Sequence, residues 1–243
     1  MLNLISIGLS KVKADAIVLP VCEDKMLYSK KEFVSLIQEA KELKEFKGCK
    51  SDEVTLYNLS EVRPKRVIFL GLGKFSEISP ESFRSLVGSS VQKCIQKGFS
   101  NILFVAPDDN NLNHPIGIIL EAMFEGACLG NHLFDRYKKE KKNNPLEKIS
   151  VLTAPDLVKK YRFLPDRIKT ICEGTILARN WVSTPSNEKK PEQFSSDIAD
   201  LARKEKLKVR VIHESELKKL KMNAMLAVAA GSQSSARLVI IEH

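Results

Sequence analysis

The residues of this 243-residue chain that could do chemistry are four histidines, five cysteines, two glycine-containing turns and one basic run. His114, His132, His213 and His243 lie far apart, and none sits in an HExxH pair that would hold zinc on one helix face. Cys22, Cys49, Cys94, Cys128 and Cys172 are odd in number and widely spaced, with no CxxC, so they frame neither a disulfide scaffold nor a zinc knuckle and read as buried thiols. There is no GxSxG elbow and no GxxxxGK[ST] phosphate loop. Gly71-Leu72-Gly73-Lys74 follows an apolar run, but it lacks a third glycine and the next helix begins several residues later. A tight strand-end turn is the simpler reading, and an anion or nucleotide pocket the sharper one. Gly231-Ser232-Gln233-Ser234-Ser235 likewise reads as a turn before a strand. The run 136–142 offers Arg136, Lys138, Lys139, Lys141 and Lys142 for contact with phosphates of a polyanion, against a solvated loop beside Asn143-Asn144-Pro145. No catalytic residue and no metal ligand can be assigned.

The elements that would have to position any site are more legible. Residues 1–7, 14–21, 54–57, 66–70, 101–107 and 148–153 read as strands, and the almost continuous apolar run 14–21 suits a strand covered on both faces. Between them, 29–47 carries Phe33, Leu36, Ile37, Ala40 and Leu43 on one face of a helix. Ser79-Pro80-Glu81 is a cap followed by proline at the first helical position, opening a helix that runs to Gly98; another covers 115–133. Strands alternating with helices over 1–155 predict an α/β domain with a mixed, largely parallel sheet sandwiched by helices.

A helix from about Asp166 runs through Ile168, Ile171 and Leu177 to Trp181, the only tryptophan, and ends where Pro185 drives Thr184 out of helical dihedrals. Pro191 opens the next helix, 208–212 reads as a strand, 214–220 as a short helix, and 224–229 and 238–241 as apolar segments. The expected organisation is therefore a domain over 1–155, a linker helix over 156–185, and an incomplete second α/β domain over 186–243. Fewer than about 60 residues rarely close a core alone, so a chain ending on the strand at 238–241 looks cut. The formal charge is +9 with 43% hydrophobic residues, as in a soluble protein with a proper core and a generally basic surface. No basic leader is present and no apolar run approaches the roughly 20 residues that span a bilayer, so a cytoplasmic protein without membrane contact is expected.

Three blocks, in order, make the chain resemble the leucyl aminopeptidase (cytosol aminopeptidase) family. Glu125-Gly126-Ala127-Cys128-Leu129-Gly130-Asn131-His132-Leu133-Phe134-Asp135-Arg136-Tyr137-Lys138 is similar to the family's EGxxLGxYxFDxYK, with Asn131-His132 where a small residue and Tyr are usual. Ala178-Arg179-Asn180-Trp181-Val182-Ser183-Thr184-Pro185-Ser186-Asn187 with Pro191 resembles ARDLVNxPxN…P. The stretch from Leu220 to Ser232 followed by Arg237-Leu238-Val239-Ile240-Ile241-Glu242-His243 resembles MGxxLAVxxGSxxxPRLIxLxY, with Asn223 replacing a glycine and able to take its left-handed dihedrals.

The resemblance implies a macro-domain-like N-terminal domain, a linker helix and the start of a catalytic peptidase domain. It further implies a hydrolase that removes N-terminal residues, often leucine, from peptides and uses two divalent metals, zinc or manganese, with magnesium exchange. The family's metal ligands, catalytic lysine and bicarbonate-holding arginine lie downstream of the last matching motif, so no residue here inherits those roles and the chain alone is expected to be inactive. Peptide is then a partner only of the full-length enzyme, with a homo-oligomer, a hexamer in the family, as its assembly. An inactive subunit joining full-length partners, or a stand-alone nucleic-acid or nucleotide-binding α/β domain, are the other readings.

Overall fold

The most uniformly apolar run of the sequence forms an interior strand of a six-stranded sheet in the computed structural model, which describes residues 1–59 and 62–242. The strands β1 (Leu2–Ile5), β2 (Ala16–Cys22), β3 (Glu53–Tyr57), β4 (Arg66–Gly73), β5 (Asn101–Val105) and β6 (Lys148–Leu152) stand in the order β1-β6-β5-β2-β4-β3. All neighbours are parallel except the β3–β4 hairpin, so the sheet is mixed and largely parallel, as the alternating pattern predicts. Every residue of β2 is buried, and all of β4 after Arg66. Because successive side chains of a strand point to opposite faces, burial at consecutive positions means that both faces of the sheet are covered.

The helices are α1 (Lys31–Glu42), α2 (Pro80–Gln96), α3 (Ile116–Gly130), α4 (Pro155–Lys160) and α5 (Leu164–Ser183). In α2 the Ser79 Oγ accepts from the Ser82 amide and the Ser79 amide donates to Ser82 Oγ, a reciprocal cap with Pro80 at the first position. Gly98 closes the helix at φ 73°. The short α4 was not anticipated; six residues are too few for periodicity to register. The helix expected over 29–47 stops at Glu42, because Leu43 turns extended and the chain folds Phe46 into the core.

Two compact units divide the chain, Met1–Ile176 and Leu177–His243, the division falling within α5. The second unit holds α6 (Pro191–Lys204), β7 (Lys208–His213), α7 (Glu214–Lys219), α8 (Asn223–Ala229) and β8 (Arg237–Glu242). Here β7 and β8 pair antiparallel, and Ile212, Leu217 and Ala236 make a small core joined by Met222, Met225 and Leu226. The apolar segment 224–229 is helical, and the left-handed residue ahead of it is Lys221 at φ 55°, not Asn223, which instead opens α8. Among the described residues no helix is long and apolar enough to cross a membrane.

Candidate functional site

In an open α/β sheet, ligands sit outside the carboxyl ends of the strands where the chain switches direction. Here that point lies between β2, whose continuation leads to the β4 side, and β5, whose continuation leads to β6. It is filled. β2 and β5 pair from Ala16 and Ile102 only as far as Val18 and Phe104, and Pro20 beyond them has no amide to give. The Tyr28 hydroxyl, on a side chain 2% exposed, lies 3.0 Å from the Pro20 carbonyl and 3.2 Å from that of Val105. Beside it, Lys41 Nζ donates to the carbonyls of Cys22 and Glu23.

The Gly71–Gly73 turn is committed to the fold as well. The Gly71 amide donates to the Asp52 carbonyl and the Gly73 amide to that of Gly48, so neither points at a free anion position. A Cβ on Gly71 would lie 1.8 Å from the Cys49 carbonyl oxygen, so glycine here permits close backbone contact at the strand end. Next to this turn a cleft of about 610 Å³ runs along α2, lined by Ser79, Ser82, Ser85, Ser89 and Ser90 with Lys50 and Lys93. Its groups are largely spent on structure: Ser85 Oγ donates to Glu81, Ser89 Oγ to the Leu86 carbonyl, and Lys93 pairs with Glu53. No histidine lines it, and the one lining carboxylate that accepts from a lining serine outside the helix cap, Glu81, is itself paired with Arg84. The 231–235 turn is similar, since the Ser235 amide donates to Glu192 Oε1 at 2.9 Å.

Arg136, Lys138, Lys139, Lys141 and Lys142 are all exposed on the connection between α3 and β6. Lys141 pairs with Asp135 at 3.5 Å, and the Arg136 guanidinium lies 5.5 Å from the Tyr137 ring centre. The ends of the connection are fastened by Asn131, whose amide group donates to the Leu146 carbonyl and accepts from its N–H. A different gathering of cations escaped sequence reading. Lys13, Arg63, Lys65 and Arg66, with Asp15, line a cavity of about 390 Å³ at the starting ends of β2, β4 and β5. They come from separate segments, so no run announced them; only the strand order brings them together.

Of the histidines, His114 and His132 are half-buried, His213 is exposed and His243 lies outside the described residues. All five cysteines are free thiols; Cys22, Cys94 and Cys172 are buried, as expected, while Cys49 and Cys128 are half-buried. Among the described residues, no three of His, Cys, Asp or Glu are placed to hold a metal ion. The residues present therefore do not fit a two-metal centre.

The family blocks do structural work. In the first, Gly126 and Gly130 let α3 meet α2 backbone to backbone: a Cβ on either would come within 2.3 Å of the Arg84 carbonyl oxygen or 2.6 Å of that of Gly88. Glu125 of the same block accepts from Arg84 Nε at 2.7 Å. In the second block, Trp181 lies in the last turn of α5 and Thr184 closes the helix, both its amide and its hydroxyl donating to the Asn180 carbonyl. In the third, Arg237 and Leu238 begin β8, with Arg237 facing Glu192 at 3.8 Å.

Comparison with known proteins agrees with these blocks. The model of the cytosol aminopeptidase family N-terminal domain matches residues 18–141, and that of the family's catalytic domain matches 176–243. A probable cytosol aminopeptidase of Clostridium perfringens is 28% identical over 95% of this chain and 47% of its own length. Another, of Desulfovibrio desulfuricans, is 28% identical over 98% of this chain and 49% of its own. Among solved structures, a mutant tomato leucine aminopeptidase superposes over 98% of this chain and 49% of its own, with a TM-score of 0.80 at 22% identity. The bottromycin maturation enzyme BotP gives 0.74 at 22% identity, over 94% of this chain and 46% of its own. The chain thus spans about half the length of the relatives it matches, and with both domain models found in order along it, it belongs to the cytosol aminopeptidase family.

Proposed function

We propose that this chain is the N-terminal portion of a metal-dependent aminopeptidase that removes N-terminal residues, leucine prominently, from peptides. The observation that carries the reading is the ordered pair of domain models, with N-terminal-domain similarity over 18–141 and catalytic-domain similarity beginning at 176. On this reading the domain over 1–155 and the linker helix over 156–185 present the opening of the catalytic domain at 186–243. In the complete enzyme, divalent metal ions would be held by groups other than those described here and would supply Lewis-acid chemistry. One structural neighbour, BotP, was solved in complex with manganese. The chain's own described residues bring no three metal-ligating groups together, so we assign it no hydrolytic activity by itself. Its contribution is a scaffold whose family-like blocks act through packing, with the enzyme working as a cytoplasmic homo-oligomer, hexameric as in the family.

The test is hydrolysis of a leucyl amide reporter, with manganese or zinc added and a chelator control. The chain alone should give no turnover above the control, and a version extended by the catalytic-domain sequence of a relative should give chelator-sensitive turnover. Chelator-sensitive turnover by the homogeneous chain would overturn the assignment.

A further inference from the structure

Six basic side chains from three regions of the sequence meet at the starting edge of the sheet. Lys11 and Lys13 precede β2, Arg63, Lys65 and Arg66 precede or begin β4, and Lys148 begins β6. They line two adjoining cavities of about 390 Å³ and about 210 Å³ that share Val12, Lys13, Ala14 and Asn101. Asp15 is the one carboxylate lining either cavity among the described residues. It already accepts from the backbone amides of Ser100 at 2.7 Å and Asn101 at 2.8 Å. Among the described residues, none of the six cations takes part in an ion pair, although Arg66 lies 5.1 Å over the Phe99 ring.

Cations gathered this closely repel one another, and a concave, low-dielectric wall concentrates their field, so the site favours a compact anion. Arginine adds a planar fork suited to two oxygens of one phosphate group. The smaller cavity differs in character: Ile5, Ile7, Ile102 and Leu103 line it, and Ile7 is left 38% exposed at its mouth. A charged chamber joined to one that sets an apolar wall beside Lys11 and Lys148 matches a ligand with a phosphate at one end and an apolar or planar body at the other.

We propose that this edge of the first unit binds a small phosphate-bearing ligand, its phosphate held by Lys13, Arg63 and Lys65 and its body lodged against Ile5 and Ile7. The site is remote from the filled switch point at the other end of β2, and it stands independently of the peptidase reading.

The experiment is calorimetric titration of the full chain with adenosine monophosphate and, separately, inorganic pyrophosphate. It is run on the unaltered chain, on Arg63→Ala/Lys65→Ala, and on Lys138→Ala/Lys139→Ala as a comparison from the exposed basic run. All four side chains are exposed, so each variant should retain the parent's far-ultraviolet spectrum. Expected is one saturable site, tighter for the monophosphate, weakened at least tenfold by the first pair and unchanged by the second. Absence of saturable binding, or equal weakening by both pairs, would overturn the proposal. So would binding of a single-stranded oligonucleotide without binding of the monophosphate, which would make the edge a nucleic-acid surface.

Discussion

Trp181 and Phe194 meet edge to face, ring centres 5.2 Å apart and planes at 87°, joining the end of α5 to the first turns of α6. Lys189 Nζ donates to the Trp181 carbonyl from the loop between the two helices. The pair is the main aromatic contact across that loop, and such pairs contribute roughly 0.5–1.5 kcal/mol beyond their buried area. Replacing Phe194 with Leu should lower the stability of residues 177–242 by about 1 kcal/mol and shift the emission of the sole tryptophan to longer wavelength. A urea titration followed by that emission checks both; an unchanged midpoint would mean that the rings touch without stabilising.

Gly126→Ala should be costly, since the added carbon would come within 2.3 Å of the Arg84 carbonyl oxygen in a neighbouring helix, where only backbone could yield. Overpacking of this sort costs about 1–3 kcal/mol, and we expect the upper part of that range. Gly174→Ala is the matched comparison, an exposed helical glycine with nothing within 4 Å of the new carbon, and it should stabilise by about 0.5–1 kcal/mol. Chemical denaturation of the two variants would settle whether the glycines of the first family block serve helix packing.

Why the elements were readable and the sites were not follows from distance along the chain. The apolar run in β2, the Ser79-Pro80 cap and the Pro185 and Pro191 stop and start are local signals, and each element appeared within a few residues of its expected place. The occupation of the switch point by Tyr28 depends on its hydroxyl reaching the Val105 carbonyl, a contact across 77 residues that no spacing rule contains. Lys13 and Lys65 share a cavity for the same reason, whereas Lys138 and Lys139, adjacent in sequence, line none of the cavities described above. A run of charge is visible in sequence; a convergence of charge is a property of strand order.

Cys128 should be the first thiol to react. Its hydrogen bond from Cys172 holds its pKa below that of an ordinary thiol, and it is only half-buried; burial pushes Cys94 up to about 11. Since the thiolate is the nucleophile, alkylation of Cys128 should begin at lower pH than that of a free cysteine, while Cys94 stays unlabelled in the folded chain at neutral pH. Mass mapping after brief iodoacetamide treatment across a pH series would test the order. Cys172→Ala should move the Cys128 profile upward in pH; an unmoved profile would show that the hydrogen bond does not control reactivity.

Tyr28 makes this fold sensitive to alkaline pH. Burial lifts its phenol pKa well above the ordinary 10.0, and Asp108 adds to the effect. A raised folded-state value means that the native chain keeps a proton which the unfolded chain gives up. Stability is therefore fully present below about pH 10 and falls as pH rises beyond it. Cys94 acts in the same direction from about pH 9 upward. Tyr28→Phe removes the titrating group together with its hydrogen bonds to the Pro20 and Val105 carbonyls. At pH 8 the variant should be less stable by about 1–3 kcal/mol, because the two buried carbonyls lose the one proton that they share. Above pH 10 its deficit should shrink, since the parent loses stability there through Tyr28 and the variant does not. Urea midpoints for both proteins at pH 8 and pH 10.5 would separate the two effects, and parallel declines would show that this phenol does not carry the alkaline limb.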